Sequence, residues 1–255
     1  MKEILITNDD GFDAKGLKAL VEALKDIAHL TIVAPTSEKS ACGHSLTLTR
    51  PLRFVEVDDD FYKLDDGTPS DCVYLALHSL YGEQKPDLLI SGINRGANLG
   101  EDITYSGTVT AAMEAAISEI PAIAVSLHTL SDHVGERDFA PAAHYARLVA
   151  EKVIEKGLPA QTLLSMNVPN ISMDEIKGIQ VTRQGLRVYL DELVRRVDPH
   201  GKPYYWIGGE FPSYNPMDGT DSGALDSGYV SVTPIQLDLT DYKLLEQIKN
   251  WDWKK

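Results

Sequence analysis

Short, nearly continuous apolar runs punctuate the first half of the chain: Ile4-Leu5-Ile6, Leu30-Thr31-Ile32-Val33-Ala34-Pro35 and Asp87-Leu88-Leu89-Ile90-Ser91. Runs of that length and β-branched content are the pattern of strands buried on both faces. Between the first two, Leu17, Leu20, Val21, Leu24 and Ile27 recur at helical spacing, with Asp13 placed to cap the helix they form. A strand, a helix and a strand within 35 residues imply a parallel pair joined by a crossover. Leu46 to Leu48 and Phe54 to Val57 read as short exposed or edge strands. Thr68-Pro69 has the cap-then-proline form of a helix start, and Val73, Leu77 and Leu80 supply the apolar face. Thr108 to Ser118 is alanine-rich and helical, Ala122 to Ser126 is another strand, and Phe139 to Ile154 another helix.

This βα alternation to about residue 170 predicts an α/β fold, a doubly wound, mostly parallel, Rossmann-like sheet. Beyond it the rhythm changes. Ile179 to Thr182 resembles a strand, but residues 186–229 are rich in turn formers and carry the aromatic run Tyr204-Tyr205-Trp206. That stretch reads as an arm or hairpin, either a flap over a site or an element exchanged between subunits. Tyr229 to Ile235 suits a further strand, and Thr240 caps a terminal helix reaching about Trp251. The expectation is one domain over residues 1–255, with a Rossmann-like core in 1–178 and an extension in 179–255.

Composition narrows the partners. The net charge is −14, from 24 basic and 38 acidic residues, which argues against a nucleic-acid polymer or an anionic membrane. No apolar run is long enough to span a bilayer. The chain enters a strand at once, without room for a leader, so a cytoplasmic protein is expected, with Cys42 and Cys72 reduced and acting as small apolar residues. A small phosphorylated ligand is compatible with the charge if a cation or backbone amides meet it locally.

Chemistry concentrates where strands end. Asn8-Asp9-Asp10-Gly11 follows the first strand directly, and adjacent carboxylates repel unless something neutralises them. One reading is a solvated turn, since these residue types favour turns. The other is half of a site for a hard divalent cation with oxygen ligands. Neighbouring strand ends offer matching atoms: Ser37 and Ser40 after the second strand, Asn94 and Asn98 in the glycine-rich segment after Ile90. Further on, Tyr105-Ser106-Gly107-Thr108 opens a helix, either as a plain N-cap or as a site where free amides and hydroxyls receive phosphate. A phospho-receiver domain also keeps an acidic pair after its first strand. It needs a later phosphorylatable aspartate and a lysine, whereas here the corresponding strand ends read Ser91-Gly92 and Ser126-Leu127-His128.

Taken in order, Thr7-Asn8-Asp9-Asp10-Gly11, Ala34-Pro35 leading to Ser40, Gly67-Thr68-Pro69 with Asp71-Cys72-Val73, Ser91-Gly92-Ile93-Asn94-Arg95-Gly96-Ala97-Asn98 and Tyr105-Ser106-Gly107-Thr108-Val109 resemble the SurE family (stationary-phase survival proteins) of metal-dependent nucleotidases across nearly the whole chain. The resemblance implies one divalent metal ion per subunit, Mg²⁺ or Mn²⁺, on Asp9, Asp10, Ser40 and Asn94. It implies phosphate contacts from Asn98, Ser106, Gly107 and Thr108, with Asp9 and Asp10 also as the catalytic carboxylates. The activity implied is hydrolysis of nucleoside 5′- and 3′-monophosphates, with short polyphosphate as a further substrate, in a homodimer or homotetramer built through the carboxyl-terminal segment. The chain departs from the family pattern at Ala41-Cys42-Gly43-His44 and at Ala115 after Glu114. His44 reads either as a proton donor to a leaving nucleoside or as a solvated loop residue.

Overall fold

Ile4, Leu5 and Ile6 are fully buried, and they form β1 (Glu3–Thr7). The computed structural model describes residues 1–129, 137–188, 193–207 and 213–253. After β1 come α1 (Lys15–Leu24), β2 (His29–Pro35), β3 (Arg53–Asp58), β4 (Phe61–Asp65) and α2 (Pro69–Leu75), which continues as a π-helical turn over Ala76–Tyr81. Then follow β5 (Leu88–Asn94), a 3₁₀ turn (Gly100–Thr104), α3 (Gly107–Ile117), β6 (Ala122–His128), α4 (Ala140–Lys156) and β7 (Thr162–Pro169). The remainder holds β8 (Ile179–Val181), β9 (Arg187–Val188), β10 (Leu193–Val197), β11 (Pro203–Ile207), β12 (Ser213–Tyr214), α5 (Asp221–Asp226), β13 (Val230–Gln236) and α6 (Tyr242–Ile248).

Nine strands form one sheet in the order β3-β4-β2-β1-β5-β6-β7-β13-β8. Strands β4, β2, β1, β5, β6 and β7 run parallel, while β13 returns antiparallel against β7. Strand order reverses between β1 and β5, so the loops leaving their carboxyl ends flank the crevice where open α/β sheets bind ligands. The fold is the expected doubly wound one, and the extension supplies two of its strands. The expected hairpin is β10 paired with β11; its turn is closed by Asp198, whose carboxylate accepts the backbone N–H groups of His200 and Lys202.

The two-residue repeat of a strand divides the core. Ile4 and Ile6 pack with α1 and α4, and Leu5 packs with α2 and α3 on the opposite face. This division has a topological consequence. The step from β1 to β2 and the step from β6 to β7 cross the sheet in opposite directions, yet α1 and α4 lie on the same face. Their crossovers therefore have opposite hands. The β5–α3–β6 unit shares the hand of β1–α1–β2, so the β6–α4–β7 connection is the exception to a rule obeyed by roughly 98% of such units. The exception brings the start of α4 against the start of α1. A Cβ on Gly16 would lie 3.0 Å from the Phe139 ring and 2.1 Å from the Ile93 carbonyl oxygen. Alanine at this helical position gains about 1 kcal/mol of propensity. The backbone clash outweighs it, and Gly16→Ala is expected to lower stability by about 1–3 kcal/mol net, measured by urea unfolding.

Local details differ from the sequence reading in three places. The segment 46–48 forms no strand: the Thr47 backbone N–H and hydroxyl both donate to the Asp71 carboxylate, at 2.8 and 2.6 Å. That carboxylate also completes the capping box with Thr68, so Thr47 is committed to a helix start and not to a ladder. Asp13 does not cap α1; the N-cap is Ala14, and Asp13 pairs with Lys18. Asp241, not Thr240, caps α6, accepting from the N–H groups of Lys243 and Leu244. No helix among the described residues is long and apolar enough to cross a membrane.

Candidate active site

β1 delivers its acidic pair into the crevice between β1 and β5. Asn8 closes the turn, its amide bonded to Gly11 at both the carbonyl and the N–H. The two carboxylates that follow have different surroundings. Asp9 is 3% exposed and faces the start of α3, where the Thr108 N–H and hydroxyl donate to its two oxygens at 3.1 and 2.5 Å. Asp10 faces the β5 loop, accepting from the Arg95 backbone N–H and guanidinium, both at 3.0 Å. Among the described residues no cationic side chain pairs with Asp9. Its pKa is pushed up to about 6, chiefly by burial, with the charge of Asp10 adding and the Thr108 bonds opposing.

The loop after β2 closes over the same point. Lys39 donates its backbone N–H to the Asp9 carbonyl at 2.7 Å, and the next residue, Ser40, donates its hydroxyl to Glu38 at 2.7 Å. Glu38 also holds the Arg95 guanidinium at 2.7 Å, so Asp10, Arg95, Glu38 and Ser40 form one chain of contacts. Asn94 ends β5; its amide nitrogen donates to the Gly96 carbonyl at 2.8 Å, which leaves its carbonyl oxygen as an acceptor. Of the four expected metal ligands, Asp9 and Asp10 follow β1, Ser40 is linked to Asp10 through Glu38 and Arg95, and Asn94 directly precedes Arg95 at the end of β5. Two carboxylates, a hydroxyl and an amide carbonyl suit a hard divalent cation. A buried carboxylate with no cationic side chain beside it is the observation that fits such an ion. Among the described residues no three His, Cys, Asp or Glu side chains converge as a metal group, so an ion held here would need the Ser and Asn oxygens as well.

Three of the four expected phosphate contacts, Ser106, Gly107 and Thr108, are consecutive at the start of α3, and they are not equivalent. Ser106 is the N-cap of α3, accepting from the Val109 N–H at 3.1 Å, and its hydroxyl hydrogen is still available to donate. Thr108 gives both its N–H and its hydroxyl to Asp9. That leaves the Gly107 N–H as the orphan amide at the helix start. Gly107 must be small: a Cβ there would sit 2.8 Å from the Asp9 Cβ and 3.1 Å from the Cys42 sulfur. Asn98 lies on the other side of the crevice and is 8% exposed.

Several neighbours carried no functional assignment in the sequence. Cys42 reads there as an ordinary small residue, but it lies beside Asp9 and Gly107, where burial pushes its thiol pKa up. Arg95 stands within the glycine-rich segment without a role until its contacts with Asp10 and Glu38 are seen. His44 bonds Glu114 at 2.7 Å, about 10 Å along α3 from Gly107 at 1.5 Å per residue. The bond anchors the same loop whose Gly43 is held to Tyr105 and Thr110 at the start of α3. Beyond Asp10, on the α1 face, a cleft of about 470 Å³ is bordered by Lys15, Glu38, Arg95, Arg137 and Phe139, within the size range of small-ligand sites.

Fold and site together define a Rossmann-like α/β protein whose ligand crevice joins an acidic pair to a helix start. The chain belongs to the SurE family: the family model described as Survival protein SurE matches residues 4–191. It is 52% identical to the 5′-nucleotidase SurE of a Nitratiruptor species, over 98% of this chain and 100% of that protein. It is 51% identical to the 5′-nucleotidase SurE of Helicobacter hepaticus, over 98% and 99%. The crystal structure of the SurE protein from Aquifex aeolicus superposes with a TM-score of 0.85 at 46% identity, covering 97% of this chain and 98% of that one.

Proposed function

We propose that this protein is a 5′-nucleotidase, a phosphomonoester hydrolase that releases phosphate from nucleoside 5′-monophosphates, acts also on 3′-monophosphates and short polyphosphate, and requires a divalent metal ion. The observation that carries the reading is the direct bond between Asp9 and the start of α3, which sets an acidic pair against a phosphate-type helix start. The full-length relatives named 5′-nucleotidase support the substrate class. Asp9, Asp10, Ser40 and Asn94 would hold Mg²⁺ or Mn²⁺, which when bound neutralises charge on the transferring phosphoryl group and acidifies a bound water. The Gly107 N–H and the Ser106 hydroxyl hold the phosphate oxygens and stabilise them as charge builds in transfer, while the Asn98 amide holds the phosphate equally before and during transfer. A carboxylate oxygen of Asp9 or Asp10 accepts the proton of the attacking water. The cleft beside Arg137 and Phe139 accommodates the leaving nucleoside.

The exposed hairpin, with Tyr205 and Trp206 more than half exposed, is the surface through which we expect dimers or tetramers to form. A cytoplasmic location and the exclusion of nucleic-acid polymers and membranes as partners rest on charge and sequence pattern. Purified protein is expected to release inorganic phosphate from AMP with Mn²⁺ and to lose that activity in excess chelator. Undiminished release in chelator would overturn the metal requirement, and no release with any nucleotide or divalent metal would overturn the function.

A further inference from the structure

The loop carrying Asn98 is irregular, and a buried loop must find partners for its backbone. Asn167 on β7 supplies them. Its side-chain oxygen accepts the Asn98 N–H at 2.8 Å and its side-chain nitrogen donates to the Asn98 carbonyl at 3.0 Å. The backbone groups have fixed polarity, so these two bonds also fix the orientation of the Asn167 amide. Ser126 on β6 is the direct cross-strand partner of Asn167, and Asn94 on β5 is in turn the partner of Ser126. A polar row thus runs across the carboxyl edge of the sheet from Asn94, the expected metal ligand on β5, outward to β7. Ser126 and Asn167 are each 1% exposed.

The bonds of this row differ in what they accomplish. Asn167 would satisfy the loop backbone by itself. Ser126 does nothing for the backbone: its hydroxyl oxygen accepts from the Asn98 side-chain nitrogen at 2.8 Å. That bond fixes the rotamer of the Asn98 amide. It uses one of the two hydrogens on that nitrogen and leaves the other for a ligand. A buried hydroxyl costs free energy wherever it is not bonded, so a strand whose only task was packing would do as well with alanine here.

We infer that Ser126 and Asn167 are positioning residues for phosphate: Asn167 sets the height of the Asn98 backbone in the crevice and Ser126 aims its amide. This rests on the phosphomonoesterase reading above. The test measures inorganic phosphate binding by calorimetry with Mn²⁺ present, together with KM and kcat for AMP, in Ser126→Ala and in the near-isosteric Ser126→Cys. Both are expected to weaken phosphate binding and raise KM by about tenfold, the lower end of what outer partners of a ligand contribute, with kcat and Mn²⁺ affinity held and the melting temperature lowered by no more than a few degrees for the lost Asn98 bond. Uniform loss of binding has that kinetic signature. In an Asn98→Ala background, Ser126→Ala is expected to have no further effect on phosphate binding, because its influence passes through the Asn98 side chain. An equal loss in both backgrounds, a parallel fall in Mn²⁺ affinity and stability, or unchanged phosphate binding would overturn the inference. A parent protein that turns over AMP while Ser126→Ala behaves identically overturns this inference alone. A parent that neither binds phosphate nor releases it overturns the reading beneath it.

Discussion

Asp9→Asn is expected to reduce phosphate release from AMP by about 10³-fold while making the metal-free protein more stable. On the proposed mechanism, the first effect follows from removing one of two carboxylates that would hold an ion worth several kcal/mol to the transition state, at about 1.4 kcal/mol per tenfold. The second follows from burial. Asp9 ionises near pH 6 in the folded chain against a usual value of 3.8, so at neutral pH its charge destabilises the fold by roughly 3 kcal/mol. The folded state holds the Asp9 proton more tightly than the unfolded state does. Stability lost to this group therefore develops as pH rises from 3.8 through about 6 and is complete above it. Asparagine removes the charge and keeps the contacts: its oxygen accepts the Thr108 N–H, and the Thr108 hydroxyl rotates to accept from the new amide. A rise of several degrees in melting temperature in chelator at pH 7.5, absent at pH 4, is the expected result. A variant within tenfold of parental turnover would remove Asp9 from the site. A lower melting temperature would show that Asp9 is structural.

The acidic pair was legible because its signal is local: an apolar run of strand length stops and an Asn-Asp-Asp-Gly turn follows. Strands β1, β2 and β5 were legible for the same reason, being buried on both faces and so continuously apolar. The placement of α4 was not. An amphipathic stripe reports that a helix has one buried face, but not which side of the sheet receives it, and the handedness rule points to the wrong side here. The cleft that α4's start helps to border was invisible for that reason. β4 escaped notice because it is short and set between acidic residues, Asp58-Asp59-Asp60 before it and Asp65-Asp66 at its end, and α5 because it is a short, Thr220-capped turn of helix within a turn-rich stretch. At the site, the residues read from the sequence are those in contiguous motifs. Their supports lie far along the chain: Asn167 is 69 residues from Asn98, and Asp221 is 121 residues from Gly100. Long-range pairings of single polar residues leave no periodicity to read.

Asp221 is the clearest case of such a support, and Asp221→Ala is expected to be the most destabilising substitution considered. The side chain is 2% exposed at the start of α5. One oxygen accepts the Gly100 N–H, and the other accepts those of Gly185 and Ser222, each at 2.8 Å. It thereby ties three separate stretches together: the loop that carries Asn98, the beginning of the extension, and its own helix. Gln184 reinforces the tie by donating to the Gly100 carbonyl at 3.1 Å. A carboxylate is the right group because it only accepts, and all its partners are donors. Truncation to alanine leaves buried N–H groups without acceptors at about 1–3 kcal/mol each before relaxation and water entry. A net loss of roughly 3–5 kcal/mol is expected, a fall of about 6–20 °C at about 2–4 °C per kcal/mol for a chain of this size. Asparagine repairs little, because its NH₂ would face a donor. The kinetic consequence separates this residue from Asp9. At a temperature where the variant is folded, loosening Gly100 frees the Asn98 loop and raises KM for AMP, whereas the proposed metal ligands in the loops after β1 and β2 are untouched and Mn²⁺ affinity is expected to hold. Unfolding coincident with the parent's would mean that water replaces the carboxylate without cost. A loss of Mn²⁺ affinity larger than the loss of AMP affinity would place the role of Asp221 at the metal rather than at the phosphate loop.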